Sequence, residues 1–261
     1  MKKILDLASD FNINVIDTAR SYGESENAIG SIKKRNFNLI TKLPRIPKNI
    51  QDIEEWINLS VYRSLKNLNC NQIYGLLLHY PNQLLEENGS KIYESLIKLK
   101  KNRIVNKIGI SIYEPNQLDK ILQQFYFDIV QSPLNIFDRR IINSGWLTKL
   151  KDRNIKLHIR SIFLQGLLIM NKSDRDLKFT KWKDLWSSWD EWILKNNISP
   201  VSACLNFALQ TEYVDKVIIG FENQQQLKEI IGSITNKTIN VPDWSHLVDD
   251  KLLNPSLWNK L

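Results

Sequence analysis

The chain has 261 residues, of which 43% are hydrophobic and 25% are charged, and its net charge is +8. These values are typical of an ordinary globular protein. The lysines are spread along the chain and form no tight block, so we expect no nucleic-acid partner. An anionic substrate or cofactor is the more natural use of the excess charge. No stretch is long and apolar enough to span a bilayer, and we expect no membrane partner.

The cysteines and the N-terminus indicate the compartment. Cys70 and Cys204 have neither the spacing of metal ligands nor that of a disulfide framework. The N-terminal stretch is amphipathic and lacks the apolar region of a signal peptide. We therefore expect a cytoplasmic protein that binds no metal.

Short apolar runs typical of β-strands alternate with amphipathic stretches typical of helices. The candidate strands are residues 13–17, 37–42, 73–79, 105–111, 128–132, 155–161 and 215–220. Helical patterns occupy residues 24–34, 49–67, 90–102, 115–124, 139–153 and 181–195, and two more begin near 199 and Asn223. This alternation predicts a parallel sheet with crossover helices, and nearly continuous apolar strands are those buried on both faces.

The predicted fold class is therefore α/β, a TIM-type (β/α) barrel forming a single domain over residues 1–261. Barrels of roughly 250 residues commonly form one domain, and no linker divides the chain. Seven of the eight strands are visible. We expect the missing strand to leave the barrel open or incomplete, with residues 13–17 and 215–220 not fully paired.

Four tryptophans follow an irregular stretch at residues 162–180. Trp182, Trp186, Trp189 and Trp192 are spaced by four, three and three residues, which makes one helical face. A packed helix is the favoured interpretation. The alternative is that one or two of these rings line a substrate pocket.

Ionisable residues stand at the ends of three successive predicted strands. Asp17, Lys42 and His79 occupy these ends, and Tyr22 follows Asp17 by five residues. The carboxyl ends of barrel strands meet on one rim, where active sites are built. Each residue alone has a structural interpretation, such as a helix cap for the Asp or a satisfied core histidine for the His. Together they predict a catalytic set.

Carbonyl reduction needs a hydride donor and a proton for the developing alkoxide. A phenol titrates near 10, and a nearby ammonium lowers that pKa by stabilising phenolate. A carboxylate can pair the lysine, and a histidine can polarise the carbonyl by hydrogen bonding. Asp17, Tyr22, Lys42 and His79 match these four roles.

Several segments, in order and spacing, resemble those of the aldo-keto reductase family over nearly the whole chain. They are NVIDTARSYGESENAIG, ITKLP, LLLHYP, KIGISIYEP, DIVQSPLNIFDRR, HIRSIFLQGLL and VIIGFENQQQLKEII. The resemblance implies reduction of an aldehyde or ketone with NADPH or NADH. Tyr22 would be the general acid, tuned by Lys42 and Asp17, and His79 would orient the substrate. The subtype looks closest to relatives associated with bacterial surface-sugar loci, which makes a sugar-derived carbonyl one candidate substrate.

The resemblance also implies a set of cofactor-binding residues. Ser111 and Gln131 would contact the nicotinamide carboxamide. Ser161 and the backbone near Phe163 and Gln165 would lie along the pyrophosphate. The segment from Gly220 through Asn223 and Gln226 matches the phosphate region, and Glu229 matches an acid that contacts adenine.

The chain departs from the family pattern at several positions. Ile112 replaces an Asn that often follows the family serine. Arg160 replaces an aromatic residue that stacks on the nicotinamide, and its planar guanidinium could stack there instead, which keeps Arg160 among the predicted cofactor-binding residues. Gln226 and Gly220 stand where an Arg and a Lys often bind the 2′-phosphate, so we expect less preference for NADPH, or a preference for NADH. Met1 opens directly in a helix, whereas the family begins with a hairpin and a first strand.

Two alternatives to a working reductase remain open at this stage. The first is a non-catalytic, cofactor-binding relative on the same fold. The second is an N-terminally truncated, inactive fragment. The sequence leaves the substrate, the oligomeric state and the choice between NADH and NADPH undetermined.

Overall fold

The protein, a computed structural model, is described over residues 2–32 and 37–260. Within this part, seven strands form one sheet in the order β1-β2-β3-β4-β5-β6-β7. The strands are β1 Val15–Asp17, β2 Asn38–Leu43, β3 Ile73–Leu78, β4 Val105–Ser111, β5 Ile129–Pro133, β6 Lys156–Arg160 and β7 Lys216–Val217. Strand order follows chain order and the strands run parallel, which confirms the predicted (β/α)-barrel class.

Helices connect successive strands, as parallel pairing requires, and further helices precede the first strand and follow the last. They are α1 Lys2–Asp10, α2 Ser25–Gly30, α3 Ile53–Leu68, α4 Gly89–Lys101, α5 Asn116–Gln124, α6 Arg140–Asn143, α7 Trp146–Asp152, α8 Lys183–Asn196, α9 Pro200–Gln210, α10 Gln224–Gly232 and α11 Asp250–Leu253. None of the described helices is long and apolar enough to cross a membrane.

Several predicted helices differ in extent from those observed; the one predicted at 49–67, for example, is Ile53–Leu68. The stretch at 139–153 is two helices, α6 and α7, because Gly145 between them adopts a left-handed φ of 72°. The helix predicted at 24–34 ends at Gly30, and its last two residues lie outside the described part of the chain.

The chain divides into two compact units. Unit 1 comprises the residues up to Gln131 together with Asp152–Lys156, and unit 2 comprises Ser132–Lys151 and Leu157–Leu261. The single domain expected from the sequence stays a prediction.

In unit 1, one face of the sheet carries an apolar layer. Ile40, Leu77 and Ile129 form a buried cluster, against which Val15 packs. Side chains alternate along a strand, so a residue two positions further on shares the same face. Asp17, Lys42 and Gln131 stand two positions beyond Val15, Ile40 and Ile129, and the apolar layer therefore lies beneath these polar side chains.

The core of unit 2 is aromatic. Trp186 and Trp189 of α8 pack with Phe137, whose ring centroid lies 5.5 Å and 5.9 Å from theirs. Trp182 and Trp244 belong to the same cluster of buried residues. The rings on the predicted helical face thus pack into a core, which supports the packed-helix interpretation.

Candidate active site

A buried ion pair joins the ends of β1 and β2. The Nζ of Lys42 donates to Oδ2 of Asp17, and their side chains are 1% and 9% exposed. Lys42 Nζ also donates to the backbone oxygen of Thr18, at 3.2 Å. A buried ammonium is tolerated only when it is paired and hydrogen-bonded. These two acceptors therefore fix the position of the lysine.

The loop between β1 and α2 carries Tyr22. The hydroxyls of Thr18 and Ser25, at its two ends, lie 2.7 Å apart, and the N–H of Tyr22 donates to Ala19 O at 3.0 Å. Gly23 adopts a φ of 58°, in the left-handed region that glycine enters without steric cost. The Tyr22 ring is half exposed, and its centroid lies 5.2 Å from Lys42 Nζ. The tight loop thus holds a phenol beside the ion pair.

His79 directly follows β3 and also contacts Tyr22. Its N–H donates to Leu43 O at 3.0 Å, which continues the pairing with β2. The imidazole and Tyr22 rings make an edge-to-face contact with centroids 6.0 Å apart. The imidazole Nδ1 lies 3.2 Å from Ser21 Oγ. All four residues of the predicted catalytic set therefore lie together in unit 1.

Ser111 and Gln131 extend this group from the ends of β4 and β5. Both side chains are buried, and Ser111 Oγ donates to Gln131 Oε1 at 3.3 Å. Gln131 Nε2 donates to Asp17 Oδ1 at 2.8 Å. Strands β1 and β5 are not neighbours in the sheet, so the sheet curves within unit 1 to bring these side chains together. Ile112 is buried, and its N–H donates to Gln131 O at 2.8 Å.

In unit 2, four of the predicted cofactor residues lie at the end of β6 and in the loop that follows it: Arg160 is the last residue of the strand, and Ser161, Phe163 and Gln165 are in the loop. Arg160 donates to Ser161 Oγ at 3.2 Å, and Ser161 O accepts from Asn135 Nδ2 at 3.1 Å. Ser161 and Gln165 have left-handed φ values of 61° and 55°. Such values are uncommon for residues with a side chain and recur at ligand-binding sites. Phe163 is partly buried and packs against the aromatic core.

The remaining predicted cofactor residues lie around the start of α10. Asn223 caps this helix by accepting from the Gln226 N–H at 2.9 Å, and Gln226 Oε1 accepts from the Glu222 N–H at 2.8 Å. Glu229 accepts from Gln225 Nε2 at 2.9 Å, and Gly220 is exposed. The Asn223 and Gln226 side chains therefore satisfy backbone groups at the helix start.

Two residues near the catalytic set were not among the predicted site residues. Ser21 contacts His79, and Glu26 is buried with a carboxylate that accepts from Thr41 Oγ1 at 2.7 Å. The sequence does not mark Glu26 as buried, because an acidic residue in the first turn of a helix is common on the surface. Nothing local in the sequence indicates the Ser21 contact.

The chain is similar to a known protein family and to solved structures of the same fold. The profile of the Aldo/keto reductase family matches residues 1–248. No curated protein matches the chain. Among solved structures, the aldo-keto reductase AKR11C1 from Bacillus halodurans in its apo form is 21% identical, with a TM-score of 0.73 over 96% of this chain and 85% of that one. The glycerol dehydrogenase AKR11B4 from Gluconobacter oxydans is also 21% identical, with a TM-score of 0.65 over 91% of this chain and 88% of that one. The chain therefore belongs to the aldo/keto reductase family of NAD(P)H-dependent carbonyl oxidoreductases.

Proposed function

We propose that this protein reduces an aldehyde or ketone to an alcohol, with Tyr22 as the general acid. The observation that carries the proposal is the position of the half-exposed Tyr22 ring, 5.2 Å from the buried Lys42 ammonium. An ammonium beside a phenol favours phenolate and makes the phenol a better proton donor. The exposed half of the ring leaves room for a substrate carbonyl.

Asp17 and Lys42 act through Tyr22 in this proposal. Lys42 is held by Asp17 and by the Thr18 backbone oxygen, so its ammonium cannot turn away from the phenol without losing a buried bond. Fixing such a group in advance avoids reorganisation when the proton moves. The proton leaves the Tyr22 hydroxyl for the alkoxide oxygen, and Lys42 stabilises the phenolate that remains.

His79 orients the substrate. Its ring stands edge-to-face with Tyr22, so a carbonyl oxygen beside the phenol lies within reach of the imidazole. A hydrogen bond donated by an imidazole N–H to that oxygen would polarise the carbonyl. In this proposal Tyr22 remains the proton donor, and His79 assists it by polarising the carbonyl. The contribution of His79 to the rate should therefore depend on the carbonyl tested.

The side chains in unit 1 suit a nicotinamide. When bound, the cofactor supplies the hydride. A carboxamide has donors and an acceptor, and Ser111 and Gln131 offer the complementary groups. The Gln131 amide gives one N–H to Asp17 and one lone pair to Ser111, so it keeps a second N–H and a second lone pair for a ligand. The cofactor-binding residues predicted in unit 2 stay a separate proposal; they are Arg160, Ser161, Phe163, Gln165, Gly220, Asn223, Gln226 and Glu229.

Sugar-derived aldehydes and ketones are the substrate class to test first, because the segments RSIFLQGLL and VIIG resemble those of relatives associated with bacterial surface-sugar loci. A panel of such carbonyls should be compared with simple aliphatic and aromatic aldehydes. Oxidation of NADPH or NADH on addition of each compound gives the rate. The same assay shows which of the two cofactors is used.

Tyr22→Phe tests the proposal directly. Turnover should fall by roughly 10²–10⁴-fold, the usual contribution of general acid catalysis, while the Kd for NADPH or NADH changes little. Tyr62→Phe is the matched control, because Tyr62 is a similarly exposed tyrosine on α3. A Tyr22→Phe variant that keeps most of the wild-type turnover would remove Tyr22 from the mechanism. Cofactor binding by the wild type without turnover on any carbonyl would favour the non-catalytic alternative.

A further inference from the structure

The buried amide of Gln131 connects the two groups of site residues in unit 1. Its Nε2 donates to Asp17 Oδ1 at 2.8 Å, and its Oε1 accepts from Ser111 Oγ at 3.3 Å. The other carboxylate oxygen of Asp17 accepts from Lys42. Gln131 is fully buried, so water does not compete for these bonds. One hydrogen-bonded line therefore runs from Ser111 through Gln131 and Asp17 to Lys42.

The orientation of the Asp17 carboxylate depends on its hydrogen bonds with both Gln131 and Lys42. Its carboxylate receives an amide N–H on one oxygen and an ammonium on the other. Rotation of the carboxylate would break at least one of these bonds. A hydrogen bond to a buried charged acceptor is among the stronger ones in proteins. Without the amide, the carboxylate would have one fixed oxygen and one unsatisfied oxygen.

We propose that Gln131 is a positioning residue for the proton donor: its amide N–H holds Asp17 in the orientation that keeps the Lys42 ammonium beside Tyr22. The inference rests on the proposed function, because it assigns the proton to Tyr22. It goes beyond a contact with the nicotinamide carboxamide, since the Gln131–Asp17 bond is formed by the protein's own side chains.

The two roles of Gln131 predict different measurements. Loss of a carboxamide contact raises the Kd for the cofactor. Loss of the Asp17 orientation lowers kcat and alters its pH profile, because Lys42 no longer stabilises the phenolate at a fixed place. Among the described residues, the titratable groups on this line are Asp17 and Lys42, and Tyr22 and His79 lie beside it.

Gln131→Glu and Gln131→Met separate these roles. In Gln131→Glu, the protonated form of the introduced carboxyl has nearly the shape of the amide and can donate to Asp17 while accepting from Ser111. Once ionised, it places a second carboxylate against Asp17, which repels it. We expect Gln131→Glu to keep kcat within about threefold of wild type at low pH and to lose about tenfold or more as the pH rises. Gln131→Met has no donor and should lose about tenfold or more at every pH.

A second readout needs no cofactor. The wild type and each Gln131 variant are titrated with pH while the absorbance of tyrosinate is recorded, and the same is done for each protein carrying Tyr22→Phe. Subtracting the second curve from the first leaves the ionisation of Tyr22 alone, without that of the other tyrosines among the eight in the chain. The extra negative charge in Gln131→Glu should move the ionisation of Tyr22 upward by about one pH unit. This titration reports the ionisation of Tyr22 even if the Tyr22→Phe variant keeps its turnover. Failure of the proposed function and failure of this inference are therefore distinguishable.

Val130→Ala is the matched control. Val130 is buried in β5 directly before Gln131, and side-chain alternation places it on the opposite face of the strand. It should lower the stability of the fold and leave both the pH profile of kcat and the Tyr22 titration unchanged. If either Gln131 variant does not fold, the other carries the test. The inference is overturned if Gln131→Glu has the wild-type pH profile and the wild-type Tyr22 titration, or if only the cofactor Kd changes.

Discussion

Glu26 Oε1 accepts a hydrogen bond of 2.7 Å from Thr41 Oγ1, and Thr41 directly precedes Lys42 on β2. The other oxygen of the Glu26 carboxylate accepts from Asn67 Nδ2 of α3 at 3.3 Å. Glu26 is 2% exposed and lies in α2, just after the loop that carries Tyr22. This buried carboxylate therefore ties the element after Tyr22 to the strand that carries Lys42.

Glu26→Ala should weaken both the fold and catalysis. It leaves Thr41 and Asn67 without their buried acceptor, and an unsatisfied buried polar group costs about 1–3 kcal/mol. We expect the free energy of unfolding to fall by about that amount and kcat to fall with it, since the Tyr22 loop loses its anchor. Denaturant melts and steady-state rates measure the two effects. Glu26→Gln keeps the acceptor for Thr41 and should lose less in both measurements; equal losses would contradict the anchoring role.

Lys42→Met should be costly for stability as well as for turnover. Removing one partner of a buried ion pair leaves the other charge uncompensated, which destabilises a protein by about 3–5 kcal/mol. Adding Asp17→Asn to this variant removes the stranded charge, and the double variant should regain most of the stability. Turnover should stay low in both variants, because no ammonium remains beside Tyr22. Additive losses of stability in the double variant would show that the pair is not energetically coupled.

Most strand interiors were predictable because each is buried on both faces and therefore reads as an apolar run. The end of the sheet was less so. Residues 215–220 were predicted as a strand, whereas β7 is Lys216–Val217, with pairing bonds from Asp215 to Leu157 and from Ile218 to Ile159 on either side. The apolar run continues past the point where the hydrogen-bonded partner ends. Extent of pairing depends on the neighbouring strand and is not encoded in the run itself.

In the site, too, some features follow from the nearby sequence and others depend on residues far away in the chain. Asp17, Lys42 and His79 were predictable because parallel strands bring their carboxyl ends to one edge, and Tyr22 was predictable from its place in the loop five residues after Asp17. The Gln131–Asp17 bond joins residues 114 positions apart in sequence, from strands that are not neighbours. Only the curvature of the sheet within unit 1 creates this contact. No spacing in the sequence could have predicted it.

Two glycines of the sheet differ in what a methyl group would meet. A Cβ at Gly109 would lie 2.5 Å from the backbone oxygen of Ile129, whereas one at Gly75 would lie 3.1 Å from Ile40 Cγ1. Side-chain atoms can move by a few tenths of an ångström, but a paired strand backbone cannot. Gly109→Ala should lower the free energy of unfolding by about 1–3 kcal/mol, and Gly75→Ala by less than about 1 kcal/mol. Urea melts of the two variants measure both free energies of unfolding. A larger loss for Gly75→Ala than for Gly109→Ala would contradict this prediction.

The two cysteines should differ in reactivity. Burial raises the pKa of the Cys204 thiol far above its ordinary value, so this thiol stays protonated across the physiological range. The thiolate is the reactive form, and Cys70 is partly exposed. An aromatic disulfide reagent at pH 8 should titrate one thiol in the folded protein and two after unfolding. Cys70→Ser should abolish the fast reaction. A fast reaction that survives in Cys70→Ser would mean that Cys204 is accessible.

We expect cofactor choice to depend on side chains at the start of α10. In NADPH-dependent relatives an Arg often stands at the position of Gln226, and a phosphate dianion prefers such a cationic, bidentate partner. Here the Gln226 side chain accepts from the Glu222 N–H, and the Asn223 side chain accepts from the Gln226 N–H. Both are therefore occupied in capping the helix. Glu222, directly before Asn223, adds a carboxylate that would repel a 2′-phosphate bound near the start of the helix.

We expect the wild-type protein to bind NADPH no more than about tenfold more tightly than NADH, a difference of about 1.4 kcal/mol. Gln226→Arg should shift the ratio toward NADPH by about three- to tenfold, because it adds a cation near the proposed 2′-phosphate position. Fluorescence titration with both cofactors gives the two Kd values. Gln226→Met is the control, since it removes the same capping bond without adding charge, and its NADPH to NADH ratio should stay at the wild-type value. A wild-type preference for NADPH well above tenfold would mean that another cation, such as the exposed Lys228, binds the phosphate.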